Sequence, residues 1–280
     1  MTTVELLALV RASSRDAQAP PRLPWPERLT AQEWCFRPQW LSLQGTAAFE
    51  ALDDEGRRLL AFHEAVNFFS LNLHGEGPLI AELERRAATG SARWPAYEAH
   101  FLDEERKHTG WFLEFCLRYA GRIYPDRKLA LPRPAAPGEE ELLLFAQALV
   151  FEEIVDAYDG RMARDTRLAP IVRRIHALHH RDECRHRAFG RRAVRELSAL
   201  YAPVWPAEVL ARVRDRLQRY LEAVWYDYYN PEVYRDAGFA EPLLLRRQAW
   251  ECPAQREHRA RLLAPIRRFL ASCRLLPEAN

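Results

Sequence analysis

The stretches His100-Phe101-Leu102-Asp103-Glu104-Glu105-Arg106-Lys107-His108 and His179-His180-Arg181-Asp182-Glu183-Cys184-Arg185-His186 decide how this sequence is read. Each contains Glu-x-x-His, which on a helix sets a carboxylate and an imidazole on one face, one turn apart. Around the first, Phe101, Leu102, Phe112 and Cys116 share the face of Glu105 and His108, so the ionisable pair lies against a core. One such motif is weak. The pairing carries the weight, because each motif follows an apolar helix with a glutamate of its own. Glu152 lies inside the apolar run 145–155, and Glu76 follows Phe68-Phe69-Ser70-Leu71-Asn72-Leu73-His74 and precedes Leu79 and Ile80.

The spacings agree. Glu76 stands 29 residues before Glu105, and Glu152 stands 31 before Glu183. Each span fits one helix down, a short turn and the next helix up. At about 1.5 Å per residue, the two members of each pair meet at similar height. Two such hairpins face to face concentrate four carboxylates and at least two imidazoles in one layer. Unpaired, buried anions there would cost several kcal/mol each, and a cluster of cations resolves the problem. A Glu from two helices plus Glu-x-x-His from two others is the di-iron or di-manganese carboxylate arrangement of helical bundles. The mixed oxygen and imidazole donors suit two iron ions, or manganese, better than zinc.

Working outward, the chain reads as all-α. Glycine is sparse and no segment alternates with the period of a strand. Helices are predicted over 47–74, 77–89, 94–121, 139–164, 167–200, 206–228 and 254–273. The breaks between them fall at Gly75-Glu76-Gly77-Pro78, Gly90-Ser91, Pro125-Asp126, 132–138, 203–206 and Pro253. Long amphipathic helices with short connections imply an up-down bundle, with additional C-terminal helices beyond it. Residues 1–45 hold Pro20, Pro21, Pro24, Pro26 and Pro38 and are expected to form an irregular arm. Its Trp25, Trp34 and Trp40 imply that the arm lies against the body, which runs as one domain over 46–280.

The composition narrows the function classes. A net charge of +2 argues against a nucleic-acid groove or an anionic membrane surface. Cys35, Cys116, Cys184, Cys252 and Cys273 are odd in number and form no CxxC pair, which suits a reducing cytoplasm and excludes a zinc ribbon. No secretory leader or 18-residue apolar run is present, so a soluble, cytoplasmic protein is expected. No Ser-His-Asp order, phosphate loop or nucleotide fingerprint stands out.

The motif pair resembles the ferritin-like di-iron oxygenases, and within them most the para-aminobenzoate N-oxygenase family. That family carries repeated Asp/Glu-Glu-x-x-His motifs and one further histidine four residues before the second glutamate, which is His179 here. Tyr229-Asn230-Pro231-Glu232-Val233-Tyr234 is also similar to the later part of such proteins, and the resemblance spans roughly residues 60–235. It implies a ferritin-like fold and the metal ligands Glu76, Glu105, His108, Glu152, His179, Glu183 and His186. The first motif departs slightly, reading Glu104-Glu105 rather than Asp-Glu. Two positions stay open. Glu64 also lies on an apolar face, with Leu60, Phe68 and Leu71, but 41 residues before Glu105, whereas the glycines and proline around Glu76 would break its helix. Glu153 competes likewise with Glu152. The resemblance further implies dioxygen and a small amine, an arylamine foremost, as substrates, with an external electron donor. A homodimer paired through helix faces is compatible.

Around these positions, Asp182 and Glu104 are placed either to hold a ligating imidazole in its tautomer or to be solvated helix charges. His176 and His180 read as outer partners or surface groups, Cys116 and Cys184 as small buried apolar residues, and Trp225–Tyr229 as core or helix-end packing. Two other functions compete with N-oxygenation. One is a different di-iron oxidation, such as C–H hydroxylation or desaturation, and the other is a metal-binding bundle without oxygenase activity. The helices after 205, read as walls around a pocket, disfavour the latter.

Overall fold

The computed structural model describes residues 23–125 and 136–277. Among them there is no strand, only one bridge between Trp34 and Leu168. Four long helices form the body: α1 (Asp54–Thr89), α2 (Pro95–Phe115), α3 (Glu139–Met162) and α4 (Pro170–Tyr201). α1 packs with α2 and α3 with α4, two hairpins laid together as the spacing of the motifs requires. This is the ferritin-like, all-α bundle.

Local chemistry sets the ends. Asp53 caps α1 by accepting from the Gly56 amide at 2.8 Å, and Gly90, at φ 67°, closes it in the left-handed conformation. Prolines open α2 and α4, where a missing N–H costs nothing. Glu139, Glu140 and Glu141 crowd the first turn of α3, where the helix dipole favours anions. α2 runs into a π-helical turn, Cys116–Ala120, and stops at Gly121.

Three sequence expectations change. The break at Gly75–Pro78 does not occur: α1 runs unbroken for 36 residues with Pro78 inside it. Leu79 and Leu83 beyond the proline are buried, and His74 before it donates to the Tyr124 carbonyl at 2.7 Å, so packing on both sides holds the helix through the defect. Gly75 serves a close approach instead, since a Cβ there would lie 2.4 Å from the Phe151 ring of α3. At the other end, the helix expected from 47 is one turn, Ala47–Glu50, before α1 begins anew. Finally, the span between 228 and 254, left without helix, forms α6 (Pro231–Asp236) and α7 (Pro242–Glu251), between α5 (Ala207–Tyr226) and α8 (Pro253–Ser272). The expected turns at Asp126 and 132–135, and Pro20 and Pro21 of the arm, lie outside the described residues.

The described residues before α1 make contacts with the four-helix body. Ala169 donates its amide to the Trp34 carbonyl at 2.8 Å, Leu41 and Leu43 are fully buried, and Trp40 meets Tyr158 edge-on at 4.8 Å. No helix is long and apolar enough to cross a membrane among the described residues.

Candidate metal centre

Because α1 continues through Pro78, Glu76 points from the middle of a rigid helix into the layer shared by the two hairpins. Glu105 and His108 enter from α2, Glu152 from α3, and His179, Glu183 and His186 from α4. All seven are buried, none more than 5% exposed. One ligand atom from each of Glu76, His108 and His179 falls within 4.8 Å of the others, as do those of Glu105, His108 and Glu183, and of Glu105, Glu152 and His186. The three groups overlap through His108 and Glu105. His186 Nδ1 lies 2.9 Å from Glu105 and 3.2 Å from Glu183, and His179 Nε2 lies 3.0 Å from Glu183 and 3.4 Å from Glu76.

The two open positions separate in space. Glu64 turns away to accept from the Ser42 amide at 2.8 Å and the Ser42 hydroxyl at 2.6 Å. Glu153 is taken by Arg187 and Arg191, at 3.1 and 2.7 Å. The geometry gathers Glu76 and Glu152 with the other five.

Each imidazole is held from behind by a carboxylate. His108 Nε2 donates to Asp182 at 3.2 Å and His186 Nε2 to Glu104 at 2.9 Å. The braces cross: the residue before each motif's glutamate holds the histidine of the other motif, tying α2 to α4. Lys107 and Arg185 sit outside them, 2.5 and 2.7 Å from Asp182. His179 Nδ1 lies 2.7 Å from Asp159 of α3, whose other oxygen accepts from His176 Nδ1 at 2.6 Å. The sequence reading missed Asp159, though it is visible two turns after Glu152 in a helix too apolar for an idle carboxylate. His176 and His180 are both bound outside the layer, His180 to Asp156. Cys116 is buried as expected, but Cys184 is exposed, because helical rotation from Glu183 carries it outward.

Electrostatically the layer is unresolved by protein groups alone. Glu76 Oε2, Glu105 Oε1, His108 Nδ1, Glu152 Oε1, His179 Nε2 and Glu183 Oε2 are buried without a well-aligned hydrogen-bond partner among the described residues, and the close His179 Nδ1–Asp159 Oδ2 pair is likewise an ionic contact rather than an aligned hydrogen bond. Burial, and then the Glu105 charge, push Glu76 up to about 8, and burial with the Glu183 charge raises Glu152 well above its ordinary value. Burial acts the same way on Glu105 and Glu183, but the facing imidazoles outweigh it and hold both low. Native interiors pair such groups. Inward-facing orphaned donors of this kind fit two cations.

Beside the layer opens a cavity of about 500 Å³, ordinary for a small-molecule site. Glu76, Glu105, Glu152, His179 and Glu183 form one side. Leu71, Leu79, Leu144, Phe151 and Val155 give apolar walls, and Arg216, Tyr220 and Val224 of α5 close it with Asp227 and Tyr228 of the turn that follows. The run Trp225–Tyr229 thus divides: Trp225 and Tyr229 are core, while Asp227 and Tyr228 also wall the cavity.

No curated protein matches the chain. The family model described as P-aminobenzoate N-oxygenase AurF, an oxygenase family, matches residues 3–274. By that match, over nearly its whole length, the chain belongs to the p-aminobenzoate N-oxygenase AurF family.

Proposed function

We propose that this protein is a non-haem di-iron oxygenase that oxidises the nitrogen of an arylamine. The observation that carries the reading is the buried layer of seven donor side chains, six of them with unsatisfied atoms, opening on an apolar cavity. Glu76, His108 and His179 would hold one ion, Glu152 and His186 the other, with Glu105 and Glu183 shared. When bound, such a pair of irons supplies the electrons and Lewis acidity that activate dioxygen.

The chain's own residues do the rest. Asp182, Glu104 and Asp159 fix the three imidazoles so that one nitrogen of each faces the centre. Leu71, Leu79, Phe151 and Val155 exclude water beside it and seat a flat ring. Arg216, whose terminal nitrogen lies 3.5 Å from Gln147 Oε1, gives the cavity a cationic group on the α5 side. Gln147 precedes Glu152 by five residues on α3, about 7.5 Å of helix rise. That is about the length of a para-substituted ring, so a substrate anchored at Arg216 presents its amine at the centre. Electrons come from an external donor.

The test is anaerobic loading with Fe(II), a count of bound iron, and then dioxygen with an arylamine. Two irons per chain and amine-dependent conversion to hydroxylamine and nitro products are expected. Failure to bind iron, or oxygen consumption indifferent to amines, would overturn the reading.

A further inference from the structure

On the outer side of α3 and α4 lies a second cluster of ligating side chains that shares no residue with the central layer. Asp156 projects from α3, and His180 and Cys184 from successive turns of α4; one ligand atom of each lies within 4.8 Å of the other two. Asp156 is buried, with Oδ1 2.5 Å from His180 Nδ1. Its other oxygen is engaged by Arg187, which leaves Oδ1 turned toward the cluster. Gly160, one turn after Asp156, makes room for the imidazole: a Cβ there would come within 3.2 Å of its Cε1. Cys184 is the exposed cysteine, whereas Cys35, Cys116, Cys252 and Cys273 are buried.

We propose that Asp156, His180 and Cys184 form a separate site for a thiophilic divalent cation of the zinc class. Three protein donors of sulfur, nitrogen and oxygen, with water in the fourth position, make a tetrahedral zinc sphere. The thiolate sets its choice apart from that of the oxygen-rich central layer, which suits iron or manganese. On binding, the Cys184 thiol gives its proton to solvent and the ion takes the thiolate, with no change of oxidation state. A bound ion would pin α3 to α4 outside the central layer. The inference does not depend on the di-iron reading.

Cobalt(II) serves as the spectroscopic probe. The full-length protein, with and without iron, is titrated anaerobically with Co(II), and the thiolate-to-cobalt band in the near ultraviolet is followed. One equivalent per chain is expected to give the band, and zinc to abolish it. Cys184→Ser should lack the band, and His180→Ala should bind cobalt at least about tenfold more weakly. Both variants should retain iron at the central layer, so loss of this site is distinguishable from failure of the di-iron centre. A native protein without the band at saturating cobalt, or a band that survives in Cys184→Ser, overturns the proposal.

Discussion

Asp159 is the buried carboxylate on which two imidazoles depend, and Asp159→Asn tests how the centre is held. In the native protein its two oxygens lie 2.6 Å from His176 Nδ1 and 2.7 Å from His179 Nδ1. Asparagine keeps the volume but offers one acceptor oxygen and one amide donor. If the oxygen stays with His176, the amide faces His179 Nδ1, and two donors cannot share that contact. His179 must then shift its proton to Nε2, the nitrogen that faces Glu76 and Glu183, where a ligand needs a lone pair. Loss of such an outer partner costs about 10- to 100-fold in metal affinity, or roughly 1.4–2.7 kcal/mol. Only the subsite of Glu76, His108 and His179 should weaken, because His186 keeps Glu104. An anaerobic Fe(II) titration in competition with a chelator reads the two affinities, and circular dichroism checks the fold. A folded variant that binds both irons with native affinity would refute the reasoning.

Other outcomes follow from the same structure. Glu152→Ala should abolish binding of the second iron while sparing the first, which iron counts at increasing Fe(II) would show. Arg216→Ala should raise KM for a carboxylate-bearing arylamine by about 10-fold or more with kcat and iron content little changed, the pattern of lost uniform binding. Gly138→Ala should lower the melting temperature by the equivalent of at least about 1–3 kcal/mol. Gly138 sits at φ 76°, and its Cβ would lie 2.3 Å from the Tyr201 ring. The last concerns pH. Burial pushes the Glu64 carboxyl from 4.5 up to about 8 despite the Ser42 hydrogen bonds. The folded state therefore holds a proton that the unfolded chain has lost, so this contribution to stability is full below about 4.5 and is lost as pH rises toward 8. Melting temperatures measured from pH 5 to 8 should fall, and the slope should flatten in Glu64→Gln whatever its absolute stability.

The sequence by itself determined the all-α bundle and pointed to five of the residues that meet in the buried layer. Glu105, His108, Glu183 and His186 are written as local pairs one turn apart, and His179 completes a stripe on the same face. Helical periodicity is a property of neighbouring residues, so it survives in one dimension. Where two carboxylates competed for one place, spacing favoured Glu76 and the family resemblance Glu152, and neither signal fixes the direction of a side chain. Glu76 faces the buried layer because α1 runs straight through Pro78, and that continuity rests on Leu79, Leu83 and His74 finding partners on other elements. Glu153 is turned to Arg187 and Arg191 of α4 instead. The crossed braces, Asp159 behind His179 and the outward turn of Cys184 likewise belong to tertiary structure. Each depends on which side of a helix meets which neighbour, a relation among residues up to 82 positions apart that no local pattern encodes.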